Sequence, residues 1–211
     1  EMFIHSRRNT VMLPLTAIPP DEQIEILQSD EWLRFAFVRN PYSRVFSLWL
    51  NKVFVCEPNA EQVFQLLGKP VPERLHRPED SLLFDAFVRD IIRRVDLMSR
   101  DQHYQTQERL LHPDFFNLTF VGKLENFSKD FAKVRAHVRK QGGELPEPER
   151  DNPSLEDWRG FYDSALMQIV AETYADDFRR FGYDIKVDGR TLAGARRKGG
   201  VKSLAERIDF Y

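Results

Sequence analysis

Arg39 and Ser47 are well suited to bind an anion. Arg39 follows a compact apolar run, Leu33 to Val38, that predicts a strand. Pro41 cannot continue a central strand but fits the first turn of a helix, so we expect the chain to pass directly from strand to helix. Free N–H groups and the dipole at such a helix start favour an anion, and a guanidinium can bind phosphate oxygens through two parallel hydrogen bonds.

Further polar groups follow along the same predicted helix. Ser47 lies about one turn in, where its hydroxyl can donate to the same anion, and Arg44 and Lys52 are additional cations. The alternative is that Arg39 pairs with a carboxylate and Ser47 is only a small residue at a helix contact. These residues alone leave both interpretations open.

The elements that must position this segment follow from the spacing of apolar residues. The pattern predicts a second strand over Leu118 to Val121, which Gly122 ends. It also predicts four helices, over Tyr42 to Phe54, Pro78 to Leu97, Leu124 to Val138, and from the cap Asp163 to Gly182. Met2 to His5 is a further short strand candidate. Strands that alternate with helices indicate an α/β fold with a small parallel sheet.

Composition limits the classes of protein that fit. A chain of 211 residues with 42% hydrophobic residues suits one compact domain, and 17 phenylalanines predict a core rich in aromatic packing. The net charge of −2 argues against a nucleic-acid partner. Any anion site must therefore come from local placement of Arg and Lys.

Cysteine usage and hydropathy bear on location. The single Cys56 excludes an intrachain disulfide and a Cys-based zinc site, and it favours a reducing, cytoplasmic compartment. No apolar run is long enough to predict a transmembrane segment. Because the sequence starts at Glu1, we expect an upstream part to be lacking; an anchor there would instead place the protein in the Golgi lumen or at a membrane.

The segment FVRNPYSRVFSLWLNK resembles the 3′-phosphate-binding segment of the carbohydrate sulfotransferase superfamily, in particular its membrane-associated, glycan-modifying branch. Three later stretches resemble the family's motifs in the same order. The stretch from His103 to Gln107 is similar to H-W-x-P-Q, with Thr106 in place of Pro. The stretch from Phe120 to Phe127 is similar to I-G-K-L-E-[TN]-[LF], and the stretch from Tyr174 to Asp184 is similar to Y-x-x-D-F-x-x-F-G-Y. The resemblance runs from about Arg8 to Asp184.

This resemblance implies a P-loop-like sulfotransferase fold, with a small central parallel sheet flanked by many helices, over residues 1–185. Residues 186–211 are polar and basic, which by itself predicts a C-terminal extension that is a lid, an arm or a loosely attached tail. The implied reaction moves a sulfonate from 3′-phosphoadenosine 5′-phosphosulfate to a hydroxyl of a carbohydrate or glycoconjugate, without a metal.

The resemblance also implies roles for single residues. Arg39 and Ser47 would hold the 3′-phosphate of the donor, with Arg44 beside them. His103 would be the base that removes the proton of the acceptor hydroxyl, or else a polar residue that fixes a loop or contacts the substrate without moving protons, and Gln107 would orient the site. Glu125 is an alternative base, although capping a helix or pairing with Lys123 suits it better.

One family hallmark is missing from the sequence, namely the loop P-K-x-[GA]-[GS]-[ST] that holds the 5′-phosphosulfate. Ser6 to Thr10 directly follow the strand candidate that should precede it. Residues after His5 are absent from this sequence, or the loop lies upstream of Glu1, or Arg8 and Thr10 form a degenerate version. The missing loop motivates one alternative to a sulfotransferase, a non-catalytic relative that binds a nucleotide or a glycan. A second alternative is a nucleotide-dependent phosphotransferase, since kinases share the strand–loop–helix design, but no G-x-x-x-x-G-K-[ST] occurs in the sequence.

Overall fold

The computed structural model describes residues 14–54, 61–70, 83–145 and 158–186. Short strands and α-helices alternate with single turns of 3₁₀-helix or π-helix. The elements are α1 (Pro20–Gln28), β1 (Phe35–Val38), α2 (Pro41–Trp49), α3 (Glu61–Leu66), α4 (Leu83–Ala86), α5 (Val95–Arg100), α6 (Gln107–Leu111), β2 (Phe120–Lys123), α7 (Phe127–Lys140), α8 (Ser164–Thr173) and α9 (Ala175–Phe181). The strand candidate Met2 to His5 and the extension after Lys186 lie outside the described residues.

The predicted passage from strand to helix at Arg39 is confirmed. β1 ends at Val38, and α2 begins at Pro41 with Asn40 as its N-cap. The Asn40 side chain accepts a hydrogen bond from the Tyr42 N–H at 3.0 Å, which satisfies one of the free donors of the first turn. The helix continues as a wider turn over Leu50–Phe54, in agreement with the predicted helical span.

β1 and β2 pair in parallel, with Phe35 opposite Phe120 and Val38 opposite Lys123. The predicted α/β class with a small parallel sheet is therefore confirmed. The predicted bounds of the second strand were wrong by two residues, because Leu118 donates its N–H to Pro113 in a turn before the ladder begins.

Gly122 lies inside β2, and the prediction that it ends the strand was wrong. Its missing side chain leaves room for the ring of Phe37: a Cβ at Gly122 would lie 2.4 Å from Phe37 Cε1. This ring also packs against Phe127 and Phe131 of α7, at centroid distances of 4.9 and 6.3 Å. The glycine therefore marks a close approach between strand and ring rather than a strand end.

Two predicted helices are each divided in the structure. The described part of the first ends at Ile91, after which Arg94 is extended (ψ 110°) and α5 begins at Val95. The second begins at its predicted cap, where Asp163 accepts the Leu166 N–H at 2.8 Å, but it breaks at Tyr174 before α9. Apolar spacing continues across both breaks, which is why periodicity alone could not locate them.

The main core packs around α2 and is rich in aromatic rings, as the phenylalanine content predicted. Rings from α2, α4 and the turn Trp158–Phe161 meet there, together with rings that stand just before and just after α8; the fully or almost fully buried ones include Tyr42, Phe46, Trp49, Phe84, Tyr162 and Tyr174. Aromatic pairs of this kind contribute about 0.5–1.5 kcal/mol each beyond the area they bury. These contacts hold the apolar side of α2 in place.

We predict that Gly122→Ala lowers the free energy of unfolding by about 1–3 kcal/mol, because the added methyl overpacks the contact with Phe37. Urea denaturation followed by circular dichroism measures the change. Adding Phe37→Leu to this variant should restore part of the loss, since the smaller side chain makes room for the methyl. Equal stability of Gly122→Ala and the parent protein would contradict the close approach.

Candidate active site at the start of α2

The Arg39 side chain lies half-buried at the junction of β1 and α2. Its Nε donates to Ser43 Oγ at 3.0 Å, and Ser43 Oγ donates to the Asn40 carbonyl at 3.1 Å. Among the described residues, the two Nη atoms make no hydrogen bond. Burial lowers the pKa of Arg39, and the nearby Glu125 carboxylate partly offsets this effect. The site therefore holds a partly desolvated cation with free donors.

Ser47 continues the helix face that Arg39 occupies. Because residues four apart share one face of a helix, Ser47 lies one turn beyond Ser43, the residue that binds Arg39 Nε. The Ser47 side chain is half-buried, and within the described part of the chain its hydroxyl has no partner. Arg39 and Ser47 therefore present their free donors along one face of α2.

Arg44 contacts the segment that carries His103. Its guanidinium donates to the carbonyls of Gln105 and His103 at 2.7 and 3.1 Å, and it lies 5.8 Å from the centroid of the Tyr174 ring. Burial lowers the pKa of Arg44. In this conformation Arg44 fixes the chain around His103, and its predicted contact with the donor stays a prediction.

Asp101 orients the His103 ring. It caps the turn Gln102–Tyr104, and its Oδ1 accepts the His103 N–H at 2.9 Å and contacts Nδ1 at 2.5 Å. Burial alone would raise the pKa of Asp101, but hydrogen bonds from His103 and the charge of Lys52 outweigh it and lower the pKa. The ring is about half exposed and its Nε2 makes no hydrogen bond to described residues, so Nε2 is available to exchange a proton.

Gln107 binds the main chain of Arg39 on both sides. Its Oε1 accepts the Arg39 N–H at 2.7 Å, and its Nε2 donates to the Arg39 carbonyl at 2.8 Å. The fully buried Asp177 carboxylate accepts the main-chain N–H groups of Gln107 and Glu108 at 2.9 and 2.8 Å. It also accepts Gln107 Nε2 at 3.3 Å.

Glu125 binds the main chain at the N-terminus of α2. Its carboxylate accepts the Asn40 N–H at 2.6 Å and the Tyr183 hydroxyl at 2.9 Å. Lys123 does not pair with it, since the Lys123 ammonium donates to the Gly182 carbonyl at 3.1 Å and lies 4.2 Å from the centroid of the Tyr183 ring. Glu125 therefore binds the N-terminus of α2, which agrees with the expectation that it caps a helix and not with a pair with Lys123.

A pocket of about 510 Å³ opens beside this junction. It is lined by residues of the two strands, of the segment that precedes β2 and of the end of α9: Val38, Val121, Lys123, Pro113, Asp114, Asn117, Leu118 and residues 180–182. Arg180 and Asp114 form an ion pair at its rim. Its size is that of an ordinary small-molecule site. In the described ranges, no group of three His, Cys, Asp or Glu side chains could hold a metal ion.

Sequence reasoning assigned no role to Asp177 or Asp101. Asp177 stands in the segment Tyr174 to Asp184, where an acidic residue within an apolar pattern was the available signal. Asp101 is recognisable as a cap two residues before His103. The signal at Asp177 does not show which donors its carboxylate meets, because these lie about 70 residues away.

Comparisons with known proteins give one family and one curated relative. The model of a family described as "Sulfotransferase family" matches residues 5–184. Carbohydrate sulfotransferase 12 of Mus musculus is 25% identical over 173 residues, which cover 72% of this chain and 40% of the mouse protein. The chain thus spans less than half the length of this relative. No solved structure matches the chain. The resemblance predicted from the four motifs is confirmed.

The predicted cytoplasmic location is contradicted by these comparisons, because carbohydrate sulfotransferases are Golgi membrane enzymes. The prediction depended on a single cysteine, and one thiol shows only that no intrachain disulfide forms. Among the described helices, none is both long and apolar enough to cross a bilayer.

Proposed function

The chain belongs to the sulfotransferase family, and on that premise we propose that it transfers a sulfonate from 3′-phosphoadenosine 5′-phosphosulfate to a hydroxyl of a carbohydrate. The observation that carries the proposal is the half-buried Arg39, whose Nη donors have no partner among the described residues. A desolvated guanidinium costs free energy unless an anion meets it. The 3′-phosphate of the donor is such an anion.

Arg39 and Ser47 bind this phosphate together. The bond from Arg39 Nε to Ser43 places the guanidinium on the face of α2 that Ser47 continues. The two Nη groups and the Ser47 hydroxyl then donate to the phosphate oxygens, and the dipole of α2 adds to the attraction. Arg44 contributes through its position on the same helix and through its bonds to the His103 segment.

His103 acts as the base. The donor supplies an activated sulfonate bound to its 5′-phosphate. As the acceptor oxygen attacks sulfur in line, the bond from sulfur to the 5′-phosphate breaks and the acceptor proton passes to His103 Nε2. The Asp101 carboxylate at Nδ1 keeps the ring oriented and stabilises the imidazolium that forms. The 3′,5′-bisphosphate then leaves.

A second candidate function is nucleotide or glycan binding without transfer. It is favoured by the absence of a P-K-x-[GA]-[GS]-[ST] loop from the sequence, because that loop would neutralise the charge on the transferring sulfonate. Such a protein would use Arg39 and Ser47 in the same way but would not turn over the donor.

Arg39→Ala should weaken binding of 3′-phosphoadenosine 5′-phosphate by about 2–5 kcal/mol, the usual cost of truncating one partner of a buried charge pair. Isothermal titration calorimetry measures the affinity, with ATP as the competing ligand. Arg89→Ala is the matched control, since Arg89 is an exposed cation that pairs with Asp85. Undiminished affinity in Arg39→Ala, or a preference of the parent protein for ATP, would refute the donor site.

His103→Ala should reduce turnover roughly 10²–10⁴-fold, the range for loss of a general base, while binding of 3′-phosphoadenosine 5′-phosphate stays nearly unchanged. Transfer of labelled sulfonate to a carbohydrate acceptor, followed beside calorimetry, separates the two effects. His137→Ala on α7 serves as the control histidine. Equal losses of turnover and affinity would argue that His103 only shapes the donor site. Tight binding by a parent protein that transfers nothing would support the non-catalytic candidate.

A further inference from the structure

Asp177 carries a negative charge into the interior without an ion pair among the described residues. Its side chain is fully buried, and burying a carboxylate costs several kcal/mol unless hydrogen bonds replace the lost water. Three N–H groups from Gln107 and Glu108 supply these bonds, at 2.8 to 3.3 Å. Arg44 is close enough for its charge to interact with the carboxylate as well. The cost of burial is thus met by the segment that adjoins the candidate donor site.

The carboxylate favours the same orientation of the Gln107 amide that the Arg39 peptide groups require. An ionised carboxylate only accepts hydrogen bonds, so the NH₂ end of the amide must face Asp177 and the oxygen must face away. In this orientation Nε2 also reaches the Arg39 carbonyl, and Oε1 meets the Arg39 N–H. A flipped amide would place NH₂ against the Arg39 N–H and lose both bonds to Arg39.

Because Gln107 holds the peptide groups on both sides of Arg39, it also fixes the position of the Arg39 Cα, from which the side chain extends. Arg39 is the residue at which β1 has ended and the cap of α2 has not begun, so no ladder or helix bond restrains its N–H or carbonyl. Gln107 supplies that restraint from about 70 residues away. The guanidinium can then lie against Ser43 with its Nη donors free.

We propose that Asp177 and Gln107 are positioning residues that set the selectivity of the site for a 3′-phosphate. Asp177 orients the Gln107 amide, and Gln107 holds the Arg39 main chain where the guanidinium can meet that phosphate. The proposal rests on the proposed function of Arg39. It adds that selectivity depends on a carboxylate that does not itself contact the nucleotide.

The measurement is the ratio of affinities for 3′-phosphoadenosine 5′-phosphate and adenosine 5′-monophosphate, which differ only in the 3′-phosphate. A general loosening of the protein weakens both ligands, whereas misplacement of Arg39 lowers the ratio. We expect Asp177→Asn and Gln107→Met each to lower the ratio about tenfold, the effect of one charged hydrogen bond. The double variant should lose little more than either single variant, because the two residues act in one chain of contacts.

Asp176→Asn is the matched control, because Asp176 is the preceding residue of α9 and an exposed partner of Arg179. It removes the same charge and should leave the ratio unchanged. Circular dichroism identifies variants that fold, and Gln107→Met tests the proposal if Asp177→Asn does not fold.

Arg39→Ala separates the failure of this inference from failure of the proposed function. If Arg39→Ala abolishes the preference for the 3′-phosphate while folded Gln107→Met and Asp177→Asn retain it, the positioning role is wrong and the donor site stands. If Arg39→Ala retains the preference, the donor site and the positioning role are both wrong. A ratio lowered in all three variants and retained in Asp176→Asn supports the inference.

Discussion

The carboxylate of Asp177 is fully buried where α9 meets α6. A charge in the protein interior is tolerated only where donors surround it, and here the donors come from the start of α6. α9 must therefore lie against α6, and the break at Tyr174 allows the chain to leave α8 and reach that position. The Tyr174 hydroxyl donates to the Tyr104 carbonyl at 3.2 Å, which ties the break to the same segment.

Two segments far apart in the chain hold each other at this place. Gln107 binds the main chain of Arg39, and Arg44, one turn along α2, binds the carbonyls of the His103 segment. The candidate phosphate ligand and the candidate base are thus parts of one hydrogen-bonded unit. Preorganisation of this kind lowers the free-energy cost of ordering the groups when a ligand binds.

The aromatic core holds α2 from its opposite side. The Tyr42 ring stacks on Trp158 with centroids 5.9 Å apart and packs against Phe178 at 4.9 Å. The Tyr162 hydroxyl donates to the Tyr42 carbonyl at 2.8 Å. The polar side of α2 carries Ser43, which accepts the hydrogen bond from Arg39 Nε, and Ser47 one turn further along. The aromatic core thereby fixes the position of the helix that carries Ser43 and Ser47.

The strand-to-helix passage at Arg39, the parallel α/β class and the family could all be predicted from the sequence, because they depend on local propensity, apolar spacing and short motifs. Four further features could not: Gly122 continues a strand, two helices break, Glu125 binds the N-terminus of α2, and Asp177 contacts Gln107. Each of these depends on what another part of the chain brings into contact: the Phe37 ring at Gly122, the Asn40 N–H at Glu125, the donors of α6 at Asp177. Spacing along one segment carries no information about such partners, since the partner's distance in sequence is set by how the elements pack.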